Sequence, residues 1–258
     1  MQVNNTAGRS PMLSVMGNLI LLVRPRQAVV ALTGCREAID LTQSPALRAG
    51  ATLTTGRLVE GLPMPKIVDI LLEEHQNIEK LLLVLEHELE IFDRSGRPDY
   101  EILQTIIQYF QDYPESCHHP KEEMIFEKLT ARDPAAAKRF GDVEAEHEVE
   151  ASRLRSFARA VDSVLADQEF LRESFHLAVH DFIEHQRQHL QKEERLLFPA
   201  AAKALRSEDW AEIDARLDDR KDPLFDSVVE QKFTNLQKTI LRWEQETEEA
   251  RAAMVRQA

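Results

Sequence analysis

Histidine and glutamate side chains in this sequence recur at a spacing that suits metal binding. His118 and Glu122 are four residues apart, and so are His189 and Glu193. Residues four apart lie on one face of a helix, so each pair can direct an imidazole and a carboxylate at one point. Each pair would therefore allow one helix to supply two metal ligands.

The surroundings of these pairs are also repeated. Glu74-His75 comes before the first pair and Glu146-His147 before the second, and each histidine lies 71 or 72 residues from its counterpart. This period indicates one helix-pair unit used twice. With His75 and His147 the set reaches four imidazoles and two carboxylates. A single tetrahedral zinc needs only four ligands, whereas two metals bridged by two carboxylates use all six and leave positions open. Mixed nitrogen and oxygen ligands favour iron, with manganese as the alternative.

Neighbouring residues leave the register of the pairs open. His119 and Glu123 form a rival HxxxE pair, and Glu194 competes with Glu193. His185, one turn before the second pair, is a candidate substitute ligand. His180 forms an HxxxE pair without a partner in the repeat, which favours a solvent-facing position.

A ferritin-like di-iron site is the rival arrangement, because it needs Glu-x-x-His on two helices. The sequence offers Glu115 before His118, Glu144 before His147 and Glu173 before His176. These pairs fall on successive helices and break the repeat, which argues against this rival.

Apolar residues at three- and four-residue intervals predict the helices that must position these side chains. Four long helices with short turns predict an all-α fold, an antiparallel up-down four-helix bundle with additional C-terminal helices. We expect a break or kink at Pro114 and Pro120, and Ser207 as a helix cap. The predicted helices run from Ile67 to Phe92, from near Asp99 to Leu129, from Asp133-Pro134 to Leu165, from Gln168 to Phe198, from Ser207 to Leu217 and from Pro223 to Met254.

The composition separates residues 1–63 from the rest of the chain, and the helical pattern divides that rest in two. Residues 1–63 contain six of the eight glycines and six arginines but no lysine or histidine. This segment is interpreted as a disordered tail, a small appended element, or residues that are not native before a start at Met64. Residues 64–205 are the predicted bundle, and residues 206–258 are a C-terminal helical extension that packs outside it or forms a homodimer contact.

The charge and cysteine content narrow the possible partners and location. The formal charge is −13 and no helix carries a basic face, so we expect no nucleic acid partner. Two cysteines are too few for a disulfide framework, and no apolar stretch is long enough to span a membrane. A cytoplasmic location is the resulting prediction. No nucleophile triad or phosphate-binding glycine loop is present, so no catalytic residues are assigned.

The pattern His…HxxxE…His…HxxxE resembles the hemerythrin, or HHE cation-binding, family. The strings CHHPKEEMIF and HLQKEERLLFP are similar to its second- and fourth-helix motifs, and the last helix resembles a bacterial C-terminal extension. The resemblance implies a non-haem, carboxylate-bridged di-iron site that meets O2, nitric oxide or peroxide. The ligands carried over by motif are His75, His118, Glu122, His147, His189 and Glu193.

One position departs from the oxygen-carrying members of that family. They have a second histidine one turn after the third-helix histidine, where this sequence has Ala151. The departure favours the branch associated with redox response, iron–sulfur repair or iron handling over reversible oxygen carriage. Whether the chain is an enzyme is left open, and the alternative function is an iron or oxygen sensing or storage module without turnover. Residues expected to limit water at the site are Leu71, Phe110, Ile125 and Leu196.

Overall fold

The predicted four-helix bundle is confirmed. The structure is a computed structural model that describes residues 65–168, 171–217, 220 and 222–257, and the regular structure in these ranges is helical. The interpretation of residues 1–63 lies outside the described residues. The helices are α1 Lys66–Asp93, α2 Tyr100–Tyr113, α3 His119–Arg132, α4 Pro134–Phe140, α5 Val143–Leu165, α6 Arg172–Lys192, α7 Phe198–Ala204, α8 Ser207–Asp214 and α9 Thr234–Gln257.

The turn between α1 and α2 depends on close backbone packing. Gly96 donates its N–H to the Ile91 carbonyl over 2.8 Å, and a Cβ at position 96 would lie 2.9 Å from that oxygen. Only glycine avoids this collision. Asp99 then caps α2 by accepting the N–H groups of Glu101 and Ile102. The short connection makes the two helices antiparallel.

A π-helical turn joins α2 to α3 where a break or kink was predicted. It spans Pro114–His118, and His119 donates its N–H to the Pro114 carbonyl. A second π-helical turn, Glu193–Leu197, joins α6 to α7. Each π turn is followed by a proline, Pro120 after the first and Pro199 after the second. Proline has no backbone N–H to donate, so the helix can change its hydrogen-bond spacing at this point without leaving a donor unpaired. Both prolines are accommodated and the helices continue beyond them.

Three predicted helices before the last one differ from the structure. The third is divided into α4 and α5 at Gly141, whose φ of 117° a helix cannot contain. The fourth begins at Arg172 rather than at Gln168, and through the π turn it continues past its predicted end to Ala204. The predicted cap Ser207 is instead the first residue of α8, because Arg206 occupies the cap position and the Asp209 carboxylate accepts its N–H.

The last helix begins later than predicted. Asp222 accepts the N–H groups of Leu224 and Phe225 and also the hydroxyl hydrogen of Tyr109. These bonds hold residues 223–225 in a turn, so α9 starts at Thr234 after a short 3-10 segment, Gln231–Phe233. Phe233, Leu236 and Ile240 are buried against the bundle. The C-terminal extension therefore packs on α1 and α2.

The apolar core consists of two clusters with a polar layer between them. On α1, Ile67, Val68 and Leu71 belong to one cluster and residues from Ile78 onward belong to the other. Between them lie Glu74 and His75, which are also buried. α5 shows the same order, and α6 with the π turn that follows it shows the reverse order, so buried ionisable side chains cross the bundle at one level. None of the helices in the described ranges has the length and apolar character needed to cross a membrane.

Candidate metal centre

The polar layer brings together all six side chains that the sequence singled out. They form two groups whose candidate ligand atoms lie within 4.8 Å of one another. The first group contains His75 and His118, the second contains His147 and His189, and both contain Glu122 and Glu193. Each helix-pair unit of the repeat thus supplies the two histidines of one group, and the two carboxylates are shared.

The distances fit ligands that share metal ions. Glu122 has one oxygen 2.7 Å from His118 Nε2 and its other oxygen 3.3 Å from His147 Nε2. Glu193 similarly has one oxygen 3.3 Å from His75 Nε2 and the other 3.4 Å from His189 Nε2. Each carboxylate therefore directs one oxygen towards each group, as a bridging ligand would.

The facing atoms have no other partners. Neither oxygen of Glu122 or Glu193 takes part in a hydrogen bond within the described structure, and neither does the Nε2 atom of any of the four histidines. Buried polar groups are normally hydrogen-bonded, because an unsatisfied one costs about 1–3 kcal/mol. Eight such atoms turned towards one another are explained if cations bind between them. The donor set therefore fits a pair of metal ions.

The electrostatics of the layer also favour cations. Burial raises the pKa of Glu193, and the charge of Glu122 raises it further. Burial by itself would lower the pKa of the histidines, but the facing carboxylates outweigh it and raise the pKa of His118 to about 9 and of His189 to about 10. Without metal, protons on the imidazoles would balance the buried negative charge. Metal binding would displace them, since imidazole coordinates in its neutral form.

The outer partners of the histidines follow the sequence repeat. Glu74 accepts from His118 Nδ1 over 2.8 Å and from Lys121 Nζ over 2.5 Å. In the second unit Glu146 lies 3.4 Å from His189 Nδ1, without a hydrogen bond to it, and pairs with Lys192. A hydrogen bond such as that of Glu74 fixes the tautomer and orientation of a ligating imidazole. The glutamate before each lone histidine, to which sequence analysis gave no role, therefore lies beside the outer nitrogen of a histidine on the neighbouring helix, and Glu74 orients His118.

The residues of the alternative registers lie outside the two groups. Glu123 is exposed, whereas Glu122 is fully buried in the layer. His119 stacks on the His147 ring with the ring centroids 3.9 Å apart and belongs to neither group. Glu194 follows Glu193 in the sequence, lies at the edge of the layer and contacts His75 Nδ1 at 3.0 Å. The structure thus places Glu194 beside the site and Glu193 within it.

The remaining candidates lie outside the two groups. His185 is half-buried and is absent from both, and His180 is exposed as predicted. The ferritin-like rival is not supported, because Glu115, Glu144 and Glu173 are all exposed.

The predicted apolar surroundings are only partly correct. Leu71 and Ile125 are fully buried in one of the two clusters that flank the layer, and Phe110 is buried in the other. Leu196 is wrong as a lining residue, because it belongs to the π turn and is 49% exposed. Phe198, which sequence analysis did not single out, stacks against His75 with the ring centroids 5.6 Å apart. The sequence signal for Phe198 was its position after HxxxE in the repeated motif.

Comparison with known proteins agrees with this geometry. No curated protein and no solved structure matches the chain significantly. The family model described as the hemerythrin HHE cation-binding domain matches residues 66–201, which is more than half of the chain. This range begins with α1, ends within α7 and contains every residue of the two groups. The chain therefore belongs to the hemerythrin HHE cation-binding domain family.

Proposed function

We propose that this protein binds two non-haem irons and reacts with O2, nitric oxide or peroxide. The observation that carries the proposal is the pair of two-histidine groups sharing two carboxylates, with eight buried and otherwise unpartnered atoms between them. His75 and His118 would hold one iron, His147 and His189 the other, and Glu122 and Glu193 would bridge them. Imidazole and carboxylate suit iron, and manganese is the alternative.

The protein supplies ligands, orientation and exclusion of water. Two histidines and two shared carboxylate oxygens give each iron four protein ligands from this set, which is fewer than an octahedral ion accepts. An iron pair bound there would provide open positions and one-electron redox chemistry. Glu74 orients His118, Glu146 lies at the matching place beside His189, and the apolar clusters on both sides of the layer limit water.

The residue at position 151 supports reaction of the irons with a small ligand rather than reversible carriage of oxygen. Ala151 is half-buried and has no side chain that could bind a metal. Without a further histidine, each iron keeps only two imidazoles from the predicted set. A less saturated iron is more open to small reactive ligands, and this favours redox response, iron–sulfur repair or iron handling.

The proposal is tested by loading the full chain with ferrous iron without air and then adding nitric oxide, O2 or peroxide separately. The visible and electron paramagnetic resonance spectra should change with at least one of them. A zinc-loaded sample is the matched control, since zinc has no redox chemistry. Spectra of the iron-loaded protein that stay unchanged with all three would contradict the proposal.

A sensing or storage role without turnover is the second candidate. It is favoured by the packing of the C-terminal extension on helices that carry the site: α9 contacts α1, and α8 contacts α1 and α3. Repeated additions of peroxide with a chemical reductant distinguish the two. Continued consumption of peroxide by the iron protein indicates an enzyme, and a single stoichiometric response indicates a sensor or store.

A further inference from the structure

A third carboxylate, that of Glu150 on α5, lies beside the second group of candidate ligands. It lies one helical turn after His147, beside Ala151, and only 6% of the residue is exposed. Its Oε2 atom is 3.9 Å from His189 Nε2, the nitrogen that faces the proposed metal. No counterpart exists at the first group, where the equivalent position of the repeat is Ile78.

The two oxygens of Glu150 have different surroundings. Oε1 accepts a hydrogen bond from the Gln186 amide, which fixes the direction of the carboxylate. Oε2 takes part in no hydrogen bond within the described structure, although His119 Nε2 lies 3.4 Å away. A buried carboxylate oxygen without a hydrogen bond is costly unless a cation lies near it.

The distance between Glu150 and His189 suits two ligands of one ion. Nitrogen and oxygen ligands lie about 2.1 Å from a bound ion, so two ligands of one ion are at most about 4.2 Å apart. The 3.9 Å between Glu150 Oε2 and His189 Nε2 falls within that limit. Glu150 is not part of the group whose ligand atoms lie within 4.8 Å of one another, so its carboxylate would turn towards the ion on binding.

We infer that Glu150 is a further ligand of one metal only, the ion held by His147 and His189. This inference rests on the proposed metal centre and deepens it. Two ions bound in this way would differ: the first would have two histidines and the shared carboxylates, and the second would have Glu150 as well. An anionic ligand stabilises a more highly charged ion, so iron bound by His147 and His189 would be the more easily oxidised.

The test compares Glu150→Gln with Glu148→Gln in the full chain. Glu148 is on the same helix but its side chain is 74% exposed and pairs with Arg155, so its replacement is a matched control. Titration with Co2+ without air measures both metal sites by calorimetry and by the visible absorption of cobalt, which reports the number of ligands. In Glu150→Gln we expect one of the two binding steps to weaken at least tenfold, since loss even of an outer partner costs about 10–100-fold.

The cobalt spectrum separates a ligand from a structural residue. In Glu150→Gln the absorption of only one cobalt should change, and circular dichroism should still show a helical protein. Glu148→Gln should match the original protein in both measurements. Unchanged affinities and an unchanged spectrum in Glu150→Gln would overturn the inference. If the original protein itself binds no cobalt or iron, the proposed function fails instead.

Discussion

Four imidazole nitrogens and four carboxylate oxygens meet at the centre of the bundle without hydrogen bonds between them. Such a set is costly in a metal-free protein, and the raised pKa values of His118 and His189 show that protons would be taken up to balance it. At the scale of residues, metal binding is thus the simplest account of the layer. Each ligand then has a role that can be tested separately.

Replacing His189 with alanine should remove one metal. His189 is one of only two imidazoles in the second group, so that group would lose half of its nitrogen ligands. The bundle should remain largely helical, because the apolar clusters on both sides of the layer are untouched. Metal analysis together with circular dichroism checks this, and retention of two irons in His189→Ala would contradict the ligand assignment.

Replacing Glu194 with alanine should weaken metal binding without abolishing it. Glu194 contacts the outer nitrogen of His75 at 3.0 Å and does not face the centre of the layer. Loss of such a partner reduces metal affinity by about 10–100-fold. Competition with a chelator measures the change, and Glu123→Ala is the control because Glu123 holds the matching position in the repeat but is exposed. Complete loss of one metal in Glu194→Ala would favour the alternative register.

The helices carry the candidate ligands at the spacing that the sequence predicted. Both HxxxE pairs keep their one-turn separation because the π-helical turns lie beside them: one ends at His118 and the other begins at Glu193. The repeat predicted these pairs, since helical periodicity is local and Glu-His and HxxxE recur. The proximity of Glu150 and Phe198 to the site depends on which faces of the helices pack together. Glu150 has no repeated counterpart, so the repeat could not indicate it.

The contact between α3 and α8 should be sensitive to acid. Asp209 forms two hydrogen bonds with Arg132, each 2.8 Å long, and also accepts the Arg206 N–H. Arg132 and that N–H, against an opposing effect of burial, lower its pKa from 3.8 to about 2. A lowered folded-state pKa means that this contribution is present above about pH 4 and is lost as the pH falls towards 2.

Fluorescence of Trp210 reports this contact, because Trp210 follows Asp209 directly on α8. In a Trp243→Phe background, the Trp210 emission should change between about pH 4 and pH 2 as α8 separates from α3. In Asp209→Asn the emission should already be altered at neutral pH and should vary less over that interval. Identical acid profiles for the two proteins would show that the ion pair does not hold α8.

The whole molecule is larger than the part matched by the family model. The match ends at residue 201, yet Leu224, Phe233, Leu236 and Ile240 belong to the same apolar cluster as the bundle. The sequence predicted helices in this extension, but not that α9 would pack on α1 and α2. That packing depends on contacts across more than a hundred residues, such as Tyr109 with Asp222, which no local pattern contains. A homodimer contact through these helices remains a prediction.

Replacing Phe233 with alanine should therefore destabilise the bundle, although Phe233 lies outside the matched range. Its side chain is fully buried and lies edge-on to Tyr109 with the ring centroids 5.9 Å apart. Truncation of a buried phenylalanine costs about 3–5 kcal/mol. Urea unfolding measures the loss, with Val228→Ala as the control because Val228 is 80% exposed. Equal stability of both variants would mean that the extension folds independently of the bundle.

The most direct test of the metal centre is metal analysis of the purified full chain with its visible spectrum, before and after exposure to air and nitric oxide. We predict two irons per chain and absorption bands in air that change when nitric oxide is added. A colourless protein that binds no iron even after anaerobic loading would contradict the account.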